Sequence, residues 1–273
     1  MRCLPLVLLP ASAVAAAVPL EFRFTPAADT TIFADVAGFD RRWDDVSDGQ
    51  GASLWLSTTA GGVLRRSLVR FDLGAIPHGM QVVSSTLTLY ESRARDEHAV
   101  DLHRVLAPWG EGASDGGSQG EGDQAEAGDA TWRWRDCQVA EWATPGGDFV
   151  PTASASMRVG LPNAFYTWGS TPGLVADVQG WLADPSSNHG WILIGAEIDA
   201  QNAKRFDSGE SATATLRPLL VVQVSPVPEP GAAALLAAGL AVLAFARLSA
   251  RSRAPSPAPC WSSPIRCRTR PRP

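Results

Sequence analysis

Apolar and polar positions alternate in short runs along the first part of the chain: TTIFADV (30–36), SLWLS (53–57), RRSLVRFDL (65–73), QVVSSTLTLYES (81–92) and AVDLHRVL (99–106). Gly, Pro, Asp and Ser bound the runs, as expected of strands joined by turns. In TLTLY, Leu87 and Leu89 point one way while Thr86, Thr88 and Tyr90 point the other, which suits an antiparallel strand buried on one face. MRVG (157–160), AFYTW (164–168), WILIGAEI (191–198) and LLVVQV (219–224) continue the series, several of them apolar at consecutive positions, as sandwich-core strands can be. Only TPGLVADVQGWLAD (171–184) changes period. Leu174, Val178 and Leu182 fall at i, i+4 and i+8, with Val175 and Trp181 alongside, and predict a helix. Many short strands and one short helix predict an all-β fold, an antiparallel, jelly-roll-like β-sandwich over residues 18–226. Leu68, Val69, Phe71, Leu87, Leu89, Ile192 and Leu220 are its candidate core.

Both ends break this pattern. MRCLPLVLLPASAVAAAVPL carries a single Arg2, an apolar stretch from Leu4 to Leu9, and small residues in A-x-A spacing at Ala13, Ala15 and Ala17. It reads as a secretory signal peptide (residues 1–17) cleaved after Ala17. Near the other end, residues 231–246 are uncharged and rich in Ala and Leu. A helix of that length spans about 24 Å against a ~30 Å hydrocarbon core, and Val227 and the stem of Arg247 can extend it. A short membrane helix and a buried core helix both fit; the all-round apolarity and the prolines before it favour the membrane. Arg247, Arg251 and Arg253 would hold its far end on the cytoplasmic side.

Val-Pro-Glu-Pro at 227–230, the Ala/Leu/Gly-rich helix and the trailing arginines resemble a PEP-CTERM sorting signal (residues 227–253). The resemblance implies an exosortase-type processing enzyme as partner, acting near Pro228, Glu229 and Pro230. It also implies a transient membrane anchor followed by release to the cell surface or extracellular matrix. Such tails stop soon after the arginines, whereas this chain continues as APSPAPCWSSPIRCRTRPRP (254–273). That extension has no acid and is too rich in Pro and Arg to pack a core, so it is expected to be disordered. A shifted reading frame or a mispredicted stop would account for it; a genuine cytoplasmic tail is the other reading.

The net charge of −5 conceals an asymmetry. Residues 18–228 hold 15 Arg plus Lys against 27 Asp plus Glu, a net −12, and everything beyond Glu229 is only basic. So acidic a domain lacks the cationic footprint that nucleic acid demands. Cys137 is the only cysteine between the leader and the tail, so an exported domain would stand without an internal disulfide.

ADTTIF (28–33), RRSLVRFDLGAIPHGMQVVSSTLTLY (65–90), VDLHRVLAPWGEG (100–112), TW (131–132), WATPGGDF (142–149), VQGWL (178–182), GWILIGAEI (190–198), KRFDSGES from 204 and RPLLVVQV (217–224) resemble a DNRLRE-type domain. That domain is related to disaggregatase-type repeats and to some carbohydrate-binding modules. The resemblance implies an antiparallel β-sandwich of surface or extracellular proteins and, more weakly, polysaccharide binding. The segment GEGASDGGSQGEGDQAEAGDA between Trp109 and Thr131 is longer than such a connection needs, and its composition predicts a mobile loop.

No pair of carboxylates stands out from the acidic background as a hydrolytic pair. His78, His98, His103 and His189 lie apart without metal spacing and read as ordinary solvent-facing residues. Ser67 and Ser211 lack a nucleophile-elbow context, and the domain reads as non-catalytic. Nine of the ten Trp lie in it. Trp109, Trp132, Trp134, Trp142 and Trp168 cluster around loops, where indole faces could stack on extracellular polysaccharide; packing in the core is the competing reading. WRWR (132–135) alternates, putting Trp132 and Trp134 on one face. Asp44, Asp45 and Asp48 in WDDVSDGQG (43–51) are candidate ligands for a structural calcium ion, against a solvated acidic turn. The function expected is a structural or adhesive surface protein, with a carbohydrate-binding module as the alternative.

Overall fold

A computed structural model describes residues 18–35, 41–117, 120–197, 201–227 and 237–244. The chain divides into two compact units after Val227. The first unit is all-β and antiparallel. Its early strands are β1 (Leu20–Phe24), β2 (Ala28–Asp35), β3 (Val46–Ser47), β4 (Ser53–Thr58), β5 (Val63–Arg70), β6 (Met80–Arg93) and β7 (His98–Arg104). Short pieces follow: β8 (Asp123–Gln124), β9 (Trp134–Asp136) and β10 (Ala140–Glu141). Then come β11 (Ala155–Val159), β12 (Ala164–Trp168), the helix α1 (Pro172–Ala183), β13 (Trp191–Ile194), β14 (Lys204–Asp207) and β15 (Leu219–Pro226).

The strands form two layers. In one, β6 pairs with β12 along one side and with β15 and β14 in succession along the other, and β1 closes beside β15. In the other, the order runs β11, β7, β13, β5, β2, β3, β8. β4 joins them, since Ser53–Leu56 pair with β14 and Ser57–Thr58 with β5. At the changeover Ser57 takes a left-handed φ of 67°, an uncommon conformation for a residue with a Cβ.

Leu87 and Leu89 point into the space between the layers and meet Leu54, Leu56, Val69, Phe71, Trp168, Trp191, Phe206 and Leu220. All seven core residues expected from the sequence are buried. β6 keeps strict alternation from Ser85 to Arg93 but breaks phase at Val82–Ser85. The register with β15 shifts there, and the added residue turns Val83 outward and Ser85 inward.

Consecutive apolar residues in β5 and β13 have a separate cause. Val69, Trp191 and Leu193 face the main core, while Leu68 and Ile192 face outward into a second core. That second core contains Ala28, Ile32, Val105, Trp109, Ala130 and Trp142, so the β7–β13–β5–β2 layer is covered on both faces. Its cover is the excursion from Val105 to Phe149. The segment expected to be a mobile loop is therefore a packed strap. Gly110 N–H donates to Arg135 O, Ala125 N–H to Asp45 O, Ala130 N–H to Gly110 O and Cys137 N–H to Asp129 O. Asp129 is fully buried and accepts from Ala113 N–H and Glu126 N–H. Here glycine serves close approach: a Cβ on Gly120 would lie 2.2 Å from the Trp55 ring.

α1 follows Pro at its first position and is capped by Thr171, whose Oγ1 accepts from Leu174 N–H at 3.1 Å. Leu174, Val178 and Trp181 face the core; Leu182, expected in the stripe, sits at its edge. On a 100° step residue 181 falls closer to the 174–178 line than residue 182 does.

Candidate functional site

The five loop tryptophans do not form one face. Trp168 belongs to β12 and lies in the main core, its indole N–H donating to Val100 O at 2.8 Å. Trp109 and Trp142 are buried in the second core and donate to His189 O and Thr131 O. Trp132 and Trp134 are half-buried, each with an arginine on its ring. Arg66 lies 4.6 Å from the Trp132 ring centre and is held there by a two-toothed ion pair to Glu197, at 2.6 and 2.9 Å. Arg133 lies 4.9 Å over Trp134. Buried indoles with paired N–H groups are structural, so the core reading holds for Trp109, Trp142 and Trp168.

What remains open is a shallow groove of about 400 Å³ beside Trp132 and Trp142, lined also by Asp44, Asp45, Arg133, Glu141, Ala143 and Pro145. The exposed Arg133–Glu141 pair, at 2.7 Å, sits on its rim. A narrower cavity of about 370 Å³ lies between the turn after β5 and the end of α1, lined by Arg70, Phe71, Leu73, Ile76, Trp181 and Leu182.

The acidic turn separates its members. Asp44 and Asp45 lie on a single 3-10 turn, Arg41–Asp45, with Asp45 exposed. Asp48 turns inward to 1% exposure, where Oδ1 accepts from Gly116 N–H at 2.8 Å and Oδ2 has no partner. Burial, offset only partly by the Gly116 N–H, pushes its pKa up to about 6. Among the described residues no group of three His, Cys, Asp or Glu side chains stands ready for a metal ion.

Three acids that the sequence did not single out converge elsewhere. Asp29, on β2, is 1% exposed; its Oδ2 accepts from Gly209 N–H at 2.8 Å and its Oδ1 has no partner. Asp29 N–H donates to Glu111 Oε1 at 2.9 Å, and Glu210 Oε2 is buried without a partner. Burial first, then the neighbouring Glu210 charge, holds the Asp29 carboxyl well above its ordinary range. Burial likewise raises Glu111. One signal was available in the sequence: Asp29 is an acid inside the strand-like run ADTTIF (28–33).

His103, expected to face solvent, is buried, with Nδ1 2.9 Å from Val150 O. Cys137 is a buried free thiol, pushed up by burial and by the charges of Asp129, Asp45 and Asp136. Pro228, Glu229 and Pro230 lie outside the described residues, as do residues 1–17 and 254–273. Of the apolar stretch only residues 237–244 are described; they are helical and exposed. Among the described residues no helix is long and apolar enough to cross a membrane. No protein-family model matches the sequence, and no curated protein matches it.

Proposed function

We propose that this chain is an exported, non-catalytic component of the cell surface or extracellular matrix, structural or adhesive in role. In this reading residues 1–17 are the secretion leader, and residues 227–253 are a transient anchor cut by an exosortase-type enzyme. The observation that carries the structural over the ligand-binding role is the fate of the loop tryptophans. Three are buried with their N–H groups bonded to backbone carbonyls, and two are covered by arginine. A surface that captures polysaccharide by stacking would leave a row of indole faces open. The export route rests on the resemblance of residues 227–253 to a PEP-CTERM signal, and the surface role on the resemblance of residues 28–224 to DNRLRE-type domains.

Mass spectrometry of the protein recovered from the host's surface and medium tests the route. A mature species beginning at Val18 and ending near Pro228–Pro230, lost on Glu229→Ala, is expected. An extracellular, soluble chain intact through Pro273 refutes it.

The groove at Trp132 favours a second reading, in which the domain binds a short stretch of exopolysaccharide. Trp132 would supply the apolar contact and Glu141, Asp44 and Asp45 the hydroxyl acceptors. A glycan array probed with the full chain and with Trp132→Ala separates the two. Binding that disappears in the variant supports the second reading; a blank array leaves the structural role.

A further inference from the structure

We propose that Asp29 and Glu210, with Glu111 beside them, hold a divalent cation of the Ca²⁺ type that ties β2, the strap and the turn after β14 together. The groups come from three distant parts of the chain and meet where charge is least tolerated. Asp29 is 1% exposed, and its Oδ1 faces no donor. Glu210 Oε2 is buried and also without a donor. The two side chains approach closely enough to hydrogen-bond if one carried a proton, yet two carboxylates can only accept. Glu111 Oε1 is fixed on Asp29 N–H, and Gly209 N–H fixes Asp29 Oδ2, so the free oxygens are held in place by backbone on either side. None of the ion pairs among the described residues reaches these three acids or nearby Asp48. Arg70 is the positive charge that partly offsets burial at Glu111, and Arg65 does the same at Asp48.

Buried carboxyl oxygens with no donor are relieved by a positive species between them, a proton or a metal cation. Hard oxygen donors without His or Cys select a cation such as Ca²⁺, whose six to eight ligands include backbone carbonyls and waters. Among the described residues no three acid side chains stand together at ligand spacing. Two carboxylates therefore form the protein's anionic contribution, and carbonyl and water oxygens complete the shell. The residues differ from those the sequence suggested: Asp44 and Asp45 have no part in it.

The competing species is a single proton shared by Asp29 and Glu210, the usual outcome for two carboxylates in one buried place. Calorimetric titration of the EDTA-stripped full chain with CaCl₂ at pH 7.5, paired with thermal unfolding, separates them. One Ca²⁺ per chain and a raised Tm are expected. Glu210→Gln should lose at least about tenfold in affinity, as should Asp29→Asn if it folds. Asp44→Asn/Asp45→Asn should bind as the wild type does. The proposal is overturned if millimolar Ca²⁺ neither binds nor raises Tm. It is equally overturned if Glu210→Gln binds unchanged, or if the Asp44/Asp45 variant loses the ion.

Discussion

Glu91→Gln is expected to stabilise the protein at pH 8 and to leave it unchanged near pH 4.5. Glu91 occupies an inward position of β6, fully buried between Ala164 and Phe206 on its two neighbours, and neither carboxylate oxygen has a hydrogen-bond partner. Lys204 is also buried, but its ammonium donates to Asp96 O at 2.6 Å. Burial raises the Glu91 carboxyl from 4.5 to about 7, opposed in part by Lys204 and Arg205. The sign follows from linkage. The unfolded chain releases this proton near pH 4.5 and the folded chain only near pH 7, so the folded state binds more protons across that window. Stability from this group is complete below pH 4.5 and is lost as pH rises to 7, by about 3 kcal/mol at most. Glutamine has the same shape and nothing to ionise, so the variant should gain about 1–3 kcal/mol at pH 8. Urea unfolding of both proteins at pH 4.5 and 8, with equal slopes, reads the difference directly. The opposite result is as clear. If Glu91 instead forms a stabilising ion pair with Lys204, removing its charge strands a buried ammonium and costs about 3–5 kcal/mol at pH 8. That loss would refute the upward shift of the Glu91 carboxyl.

Phe71→Ala should cost about 3–5 kcal/mol in the same assay, because Phe71 is 1% exposed and its ring meets Trp191 edge-on at 6.3 Å; a loss below ~1 kcal/mol would remove it from the core. Gly120→Ala should cost about 2–4 kcal/mol, since φ is +67° and the new methyl would strike the Trp55 ring. A loss under ~0.5 kcal/mol would mean that the strap does not press on Trp55 in solution.

Alternation made the strands legible, and burial of Leu87, Leu89 and Leu220 follows from period alone. The helix was legible for the same reason, although an i, i+4, i+8 count names Leu182 where the 100° step puts Trp181 on the inner line. LEFRF (20–24), now β1, was missed because as an edge strand it buries little: two of its residues are half-buried and three exposed. The strap was misread because composition does not distinguish glycines that permit motion from glycines that permit contact. Gly110 and Gly120 are of the second kind, and only the neighbours reveal it. Tryptophan posed the same difficulty, since one indole serves equally as core and as sugar platform until its N–H partner is known. The acidic cluster was not visible: Asp44, Asp45 and Asp48 were flagged for their company in sequence, while Asp29, Glu111 and Glu210 meet only in three dimensions.

The seating of β15 determines how the domain meets a mechanical load. A pull on the chain beyond Val227 enters through β15, which is paired from Leu220 to Val224 with β1 and from Leu219 to Pro226 with β6. Tension along a strand clamped on both sides loads its ladder rungs together in shear, whereas a strand peeled from an edge loses them one at a time. The last strand is thus an interior one, and its removal would first have to break two ladders and drag Leu220, Val222 and Val224 out of the core. A load applied at the carboxyl end would therefore have to overcome both ladders before the core opens.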